Sequence, residues 1–383
     1  MRDGYRIIDT DTHVGPTADV LYEYGSEALT ARREELAPYE RQFRDGIGLS
    51  INPYPYKRRM GEKADAGEAE RGGVPALKGA IGSNKVEDPE PGVSQRNAAG
   101  RLLDMDREGR DVDLIIPGTF STAITAIDDS LALELYASYH RYIVDYCSAD
   151  PARLKATILA PAIDPEWAAS QIRRLSGESC VAAVTVVLPE GLPVDDPDLH
   201  PIWSAMGDAD LPLLHHSFFY EPPYFPGYRD VWGHVALARA AAHPWGAQRL
   251  LGYVIMSGLL DQFPDLRVGF AECSGGWLPS WLVRLEGQAA YLHPTLPTLK
   301  RSPRQYAEDG RIFCGVELYE GEETVRSIIE VLGDDTIMYQ SDYPHDQCVF
   351  PKSPDTVLGW TGLSNDTLSK LFAGNAERYL RLA

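Results

Sequence analysis

Eight short apolar segments, each followed by a stretch of helical periodicity, constrain the fold of this chain more than any other feature. Most are rich in Val, Ile and Leu without alternating polar positions, as is typical of parallel strands buried on both faces. Eight strand–helix units in series predict an α/β fold, a (β/α)8 TIM barrel, with residues 363–382 as a closing helix. The segments span residues 5–14, 111–118, 154–163, 180–189, 211–217, 266–273, 311–318 and 336–342.

A doubly wound open sheet is the competing arrangement for the same alternation of strands and helices. It would require a glycine-rich phosphate-binding turn directly after the first strand. The sequence at that point, THVGPTADV, is not such a turn. The barrel is therefore the favoured prediction.

The segments follow one another at short intervals except after the first. There, residues 15–100 form a long insertion in what we predict to be a single barrel domain, residues 1–383. Much of the insertion is polar and rich in Gly and Pro, as in GEKADAGEAERGGVPALKG. Loops of this length in compact domains are usually functional or disordered. Since active sites are built at the carboxyl ends of barrel strands, we interpret residues 15–100 as a lid or a subunit contact, with a disordered middle as the alternative.

The charge and cysteine pattern of the chain exclude several classes of partner. A net charge of −20 over 383 residues leaves no basic surface for nucleic-acid phosphates and disfavours an anionic membrane surface. No apolar run is long enough to cross a membrane, and the N-terminus lacks the apolar core of a signal peptide. Five cysteines without paired spacing fit a reduced protein, so we expect a cytoplasmic location.

Side chains with metal-binding chemistry stand at the carboxyl ends of several predicted strands. In the first strand, IDTDTHV, the side chains of Asp9, Asp11 and His13 are two residues apart and therefore point to the same side. One D-x-H triplet is a weak signal, but other strands end similarly. The further candidates are His215 or His216 after strand five, Glu272 after strand six, Glu317 and Glu320 after strand seven, and Asp342 with His345 after strand eight. Oxygen and nitrogen ligands without thiolate suit Zn, Mn or Fe.

Six motifs together resemble the amidohydrolase superfamily, and specifically its amidohydrolase-2 branch, which includes aminocarboxymuconate-semialdehyde decarboxylase and aromatic-acid decarboxylases. The resemblance implies a (β/α)8 barrel that holds a divalent metal at the strand ends. It covers nearly the whole chain outside residues 20–95. The motifs are IDTDTHV, RLLDMDREGRDVDLIIPG, LPLLHHS, SGLLDQFPDLRVGFAECSGGWLPSWLVRLE, IMYQSDYPH and LFAGNAERYLRL.

Carried over residue by residue, the resemblance implies a carboxylate-rich metal site. Asp11 stands where the family usually has a first histidine, and Glu272 stands where strand six often carries another. The implied metal ligands are Asp11, His13, His216, Glu272 and Asp342, with His215 as an alternative to His216 if the register differs by one residue. Asp342 and Glu272 are the candidate catalytic groups, and His215, His345 and Asp9 are candidate supporting residues. Such a set could hold one ion or two, with Zn, Mn or Fe as the metal.

The leading hypothesis is a metal-dependent hydrolase or decarboxylase that acts on a small carboxylic or aromatic acid derivative. The carboxylate-rich set also resembles that of dinuclear iron or iron–manganese oxygenases on the same barrel, which gives one alternative. A second alternative is a non-catalytic partner subunit of such an enzyme. The expected partners are a small-molecule substrate and either another copy of the chain, as a dimer, or a homologous subunit. An aromatic-rich segment, residues 215–232, could line the substrate pocket.

Overall fold

Eight parallel strands form one sheet that closes on itself, as the sequence predicts. The computed structural model describes residues 1–43, 46–49, 83–118, 120, 121, 123, 127–189, 191–216 and 235–382. The sheet has the order β1-β4-β5-β6-β7-β8-β9-β10. Its strands are β1 (Ile8–His13), β4 (Val112–Ile116), β5 (Leu154–Pro161), β6 (Val181–Val187), β7 (Leu213–His216), β8 (Val268–Ala271), β9 (Ile312–Val316) and β10 (Ile337–Tyr339), and β2 (Glu40–Phe43) and β3 (Gly46–Leu49) form a separate antiparallel hairpin.

The last strand returns to the first and completes the barrel. The side-chain hydroxyl of Thr10 donates to the carbonyl of Tyr339 at 2.9 Å. Beyond the end of β10, the N–H of Asp342 donates to the carbonyl of Asp11 at 3.0 Å, and the N–H of His13 donates to the carbonyl of Tyr343 at 2.7 Å. The carboxyl ends of β1 and β10 are therefore held side by side by the backbone itself.

Helices surround the barrel between consecutive strands. Several begin at a side chain that accepts a hydrogen bond from the first turn, such as Asp128 from the N–H of Leu131 and Asp164 from that of Trp167, which satisfies otherwise unpaired donors. The helices are Ala18–Glu23, Glu27–Ala31, Arg33–Leu36, Ala98–Glu108, Asp129–Cys147, Pro165–Leu175, His200–Asp208, Val235–Met256, Leu259–Gln262, Leu278–Leu292, Pro303–Glu308, Gly321–Leu332, Ser353–Leu358, Asn365–Ser369 and Asn375–Leu380. None among the described residues is long and apolar enough to cross a membrane.

The barrel interior is filled by strand side chains and closed at its amino end by the C-terminal helix. Ile8, Leu114 and Met338 are fully buried inside the sheet and belong to one apolar cluster with Tyr379 of the last helix. The hydroxyl of Tyr379 donates to the carbonyl of Leu213 at 2.8 Å, at the start of β7. Burial of one such aliphatic side chain stabilises the fold by about 1.5–3 kcal/mol. The interior is therefore a packed core, and the open end lies at the carboxyl ends of the strands.

The described part of the insertion packs against the side of the barrel. Residues 15–43 contain three short helices, and Ser138 of the helix Asp129–Cys147 donates its hydroxyl to the carbonyl of Leu21. From the same helix, Arg141 donates to the carbonyl of Tyr24 at 2.6 Å. Residues 50–82 lie outside the described residues, so the lid or subunit-contact role of the insertion stays a prediction.

Candidate metal centre

Three predicted ligands meet where β1 ends beside the segment that follows β10. The imidazole Nε2 of His13 lies 3.0 Å from Oδ1 of Asp11 and 3.2 Å from Oδ1 of Asp342. All three residues are at most 2% exposed. Asp11 and His13 share one face of β1 because they are two residues apart on a strand. Asp342 reaches the same point because the barrel closes between β10 and β1.

Of the two histidines at the end of β7, the fifth strand of the barrel, His216 faces the side chains of Asp11, His13 and Asp342. Its Nε2 lies 3.9 Å from Oδ1 of Asp11, and its ring centroid is 4.9 Å from that of His13, edge to face. His215 points to the other side of β7, where its ring meets Phe270 of the outer core edge to face. The sequence left these two residues as alternatives, and the structure brings His216 to the site.

Because His215 and His216 point to opposite sides of β7, substituting each in turn tests which of them binds the metal. We expect His216→Ala to lower the affinity for a divalent cation by at least tenfold, as typically results from losing even a group that orients a ligand. His215→Ala, one residue earlier on the same strand, should leave the affinity within about twofold, since its ring faces away from the carboxylates. Calorimetric titration of Mn²⁺ into each metal-free variant measures both values. The reverse ranking would show that the other face of β7 binds the metal.

Glu272, which follows β8, pairs with His216. Its Oε2 lies 2.9 Å from Nε2 of His216, and its carbonyl is 2.9 Å from Nδ1 of His243, which comes from the helix Val235–Met256. His243 could not be predicted to lie here, because the contact depends on how that helix packs over the barrel. Glu272 therefore lies beside a candidate metal ligand, with its carboxylate against the imidazole of His216.

The backbone at two of these carboxylates adopts an uncommon conformation. Glu272 has φ 47° and Asp342 has φ 63°, in the left-handed region that residues other than glycine seldom occupy. Such conformations cost of order 1–3 kcal/mol and concentrate at functional sites. Both turns aim a carboxylate into the barrel mouth, directly after the last residues of a strand.

The donor atoms of this site fit a divalent cation. The groups Asp11, His13, His216 and His13, Asp342, His345 each offer ligand atoms within 4.8 Å of one another. Both carboxylate oxygens of Asp11 and Oδ2 of Asp342 are buried, and among the described residues none of them accepts a hydrogen bond. Buried, unsatisfied carboxylate oxygens are costly unless a cation or hydrogen-bond donor compensates them. The residues present therefore suit a metal ion bound by oxygen and nitrogen.

The electrostatic environment differs between the two carboxylates. Burial, together with the charges of Asp342 and Glu272, raises the pKa of Asp11 to about 8 against the lowering effect of His216. Burial also raises the pKa of Asp342, but the charge of His345 and the hydrogen bonds from His13 and His345 outweigh it and leave the pKa below its ordinary value. Asp342 is therefore the carboxylate that its neighbours stabilise in the ionised form.

His345 and Asp9 support the centre from opposite sides. The Nδ1 of His345 is 2.6 Å from Oδ1 of Asp342, and its ring stacks on that of His13 at 4.3 Å. Below the centre, Asp9 accepts the N–H of Ser341 at 3.0 Å and its hydroxyl at 2.5 Å, and the N–H of Asp11 at 3.3 Å. One carboxylate thus connects the backbones that carry Asp11 and Asp342.

Glu320 likewise connects two backbone segments through its carboxylate, those that follow β8 and β9. Its carboxylate accepts N–H groups of Gly275 and Gly276 at 2.8–3.0 Å and of Glu317 at 2.8 Å. The oxygens are thereby occupied by backbone donors that follow both strands, so Glu320 orders the loops instead of pointing a free carboxylate at a cation. Glu317 is buried beside it, and burial followed by the charges of Asp11 and Glu272 raises its pKa well above the ordinary range.

Comparison with known proteins places this barrel in a family. The amidohydrolase family model matches residues 8–382. A gamma-resorcylate decarboxylase of Polaromonas sp. strain JS666 is 25% identical over 316 residues, which cover 74% of this chain and 89% of that protein. A gamma-resorcylate decarboxylase of Rhodococcus jostii strain RHA1 is 23% identical over 278 residues, 66% of this chain and 82% of that one.

Solved structures share the fold over almost the whole chain. The 5-carboxyvanillate decarboxylase of Sphingomonas paucimobilis superposes with a TM-score of 0.69 at 20% identity and covers 99% of this chain and 100% of its own. The dihydroxybenzoic acid decarboxylase of Polaromonas sp. JS666, solved with manganese and 2-nitroresorcinol, has a TM-score of 0.64 at 18% identity and covers 99% and 97%. Since the family model spans nearly all of the sequence and the motifs lie on the barrel they implied, this chain belongs to the amidohydrolase family.

Proposed function

We propose that this chain is a manganese-dependent decarboxylase of small aromatic acids. The observation that carries the proposal is the meeting of two buried carboxylates, Asp11 and Asp342, at Nε2 of His13. Both oxygens of Asp11 and Oδ2 of Asp342 accept no hydrogen bond from the described residues. The decarboxylases of aromatic acids among the relatives, one of them solved with manganese, support the reaction and the metal. They favour the decarboxylating form of the leading hypothesis over the oxygenase alternative.

In this proposal Asp11, His13, His216 and Asp342 hold the cation. Two carboxylates and two imidazoles make a harder donor set than a site of imidazoles alone, which suits Mn²⁺. When bound, the metal supplies Lewis-acid binding of the substrate carboxylate and a neighbouring oxygen. Glu272 would orient the imidazole of His216 through the 2.9 Å contact to its Nε2.

Asp342 is the proposed proton donor. Because its neighbours favour the ionised form of Asp342, His345 first delivers a proton to Asp342 across their 2.6 Å contact. The ring carbon that bears the carboxylate then takes this proton. The bond to the carboxylate then breaks, its electron pair returns to the ring, and CO2 leaves. His345 lies 2.6 Å from Asp342, and its side chain is 51% exposed, so it can return a proton from solvent to Asp342. General acid catalysis by a positioned group of this kind typically contributes about 10²–10⁴-fold.

A substrate and metal screen tests this function directly. Metal-free protein should be inactive toward 2,6-dihydroxybenzoate and 5-carboxyvanillate, and Mn²⁺ should restore release of one CO2 per molecule of acid consumed. The matched control is the same assay without oxygen, which should proceed at the same rate, since the proposed reaction needs no oxidant. Ester or amide hydrolysis without CO2 release would assign the site to hydrolysis, and a requirement for oxygen with a reductant would assign it to the oxygenase alternative.

Location and assembly stay predictions. We expect a cytoplasmic protein that acts as a homo-oligomer, most simply a dimer. The partner-subunit alternative requires that the chain be inactive alone. Activity of the protein purified as its only polypeptide would exclude that alternative, and its mass in solution would give the number of copies.

A further inference from the structure

Two buried arginines lie beneath the proposed metal centre and take no part in the proposed reaction. Arg101 and Arg110 belong to the segment RLLDMDREGR, one of the motifs that indicated the family. They are 0 and 1% exposed. Asp113 on β4 pairs with both, at 3.2 Å from Arg101 and 2.9 Å from Arg110. A buried cation is tolerated only when it is paired and hydrogen-bonded, so the geometry of this pair is strongly constrained.

Arg101 binds the backbone of a proposed ligand directly. Its Nη2 donates to the carbonyl of His13, and its Nη1 donates to the hydroxyl of Thr12 at 3.0 Å. Its Nε donates to the hydroxyl of Tyr146 at 3.1 Å, whose own hydroxyl donates to the carbonyl of Val93 in the segment that returns from the insertion. One guanidinium group thereby connects the end of β1 to β4, to a barrel helix and to the insertion.

The same arginine also contacts the segment that carries Asp342. Both guanidinium groups lie over the ring of Tyr343, with the carbon of Arg101 5.0 Å and that of Arg110 4.1 Å from its centroid. Its hydroxyl donates to Asp104 at 2.6 Å, and its carbonyl accepts the N–H of His13. Tyr343 directly follows Asp342 in the chain, so the position of this ring sets where the Asp342 backbone turns.

We propose that Arg101 is a positioning residue for the metal centre, which holds the His13 and Asp342 backbones at the spacing that lets both side chains bind one cation. The proposal rests on the metal site of the proposed function and not on the reaction carried out there. The planar fork of arginine donates to the His13, Thr12 and Tyr146 oxygens at once, whereas the single ammonium group of lysine cannot reproduce that arrangement. Arg101→Lys therefore keeps the positive charge that pairs with Asp113 but loses the set of hydrogen bonds to the end of β1.

The test compares Arg101→Lys with Arg267→Lys. Arg267 is a matched control, because it is also buried and donates to backbone carbonyls, those of Asp210 and Tyr379, at the opposite end of the barrel. We expect Arg101→Lys to lower Mn²⁺ affinity of the metal-free protein about 10–100-fold, the usual effect of losing a group that orients ligands. Arg267→Lys should lose thermal stability and retain the parent affinity within twofold. Calorimetric titration and circular dichroism measure both properties.

Parent-like Mn²⁺ affinity in folded Arg101→Lys would overturn the proposal and leave Arg101 a purely structural residue. Should that variant not fold, Thr12→Val takes its place, because it removes the hydroxyl that accepts from Nη1 and donates to the carbonyl of Leu114. A loss of less than about twofold in that variant would also overturn the proposal. If the parent decarboxylates none of the acids and Arg101→Lys still binds Mn²⁺ more weakly than the parent, the positioning role stands and the reaction is rejected. A parent that binds no Mn²⁺ would reject both.

Discussion

Asp342→Asn should lower the turnover of the aromatic acid about 10²–10⁴-fold, the range typical for loss of a general acid. Asparagine has nearly the shape of aspartate but carries no acidic proton. It also replaces the carboxylate that His345 contacts at 2.6 Å with a neutral amide that cannot take up a proton, so the path for returning a proton from solvent is interrupted. Single-turnover rates at saturating Mn²⁺ separate this loss of chemistry from weaker metal binding.

Asp346→Asn is the matched control for that variant. Asp346 lies four residues further along the same segment, and its carboxylate pairs with Lys85 at 3.0 Å while remaining 47% exposed. Losing such a partly exposed ion pair costs about 0–1 kcal/mol of stability and should change turnover less than twofold. A rate for Asp342→Asn above one tenth of the parent, at the same metal occupancy, would assign the proton to another group, with Glu272 as the next candidate.

The barrel could be predicted from sequence because the signal for each strand is local. Each of the eight apolar segments contains one barrel strand, and the Val- and Ile-rich run of residues 180–189 contains β6. The hairpin β2–β3 was not predicted. Its first strand reads ERQF, which lacks the apolar alternation that marks a half-buried strand. Its pairing depends on the turn and on the surface beside it, neither of which has a local signature.

Only the part of the metal centre that follows from strand geometry could be predicted from the sequence. The two-residue spacing of Asp11 and His13 fixes their shared face, and position at a strand end brings Asp342 near them. The choice between His215 and His216 depends on which residue of β7 faces inward, and that follows from its pairing with β8. The sequence contains no signal for the hydrogen bond from Arg101 to the His13 carbonyl, because this contact joins a helix to a strand end 88 positions earlier in the chain.

His13 should matter most for metal binding, because it belongs to both groups of ligand atoms that lie within 4.8 Å of one another. His13→Ala leaves Asp11 and Asp342 without the imidazole between them, so a cation would lose one ligand and the two carboxylates would lose their common contact. We expect Mn²⁺ affinity to fall more than about 100-fold, beyond the 10–100-fold range of groups that only orient ligands. His140→Ala is the control, since His140 is also fully buried but bonds to the backbone of Leu159 on β5.

Thermal denaturation with and without Mn²⁺ distinguishes the two histidines. At a Mn²⁺ concentration 100 times the parent dissociation constant, binding should stabilise the parent by about 2.7 kcal/mol, whereas a 100-fold weaker variant gains only about 0.4 kcal/mol. His140→Ala should be less stable at the outset, since it leaves the N–H of Leu159 without its acceptor, yet gain the full 2.7 kcal/mol (about the parent value) when the metal is added. Full stabilisation of His13→Ala by Mn²⁺ would show that the cation does not need His13 as a ligand. The metal site would then lie away from the carboxyl end of β1.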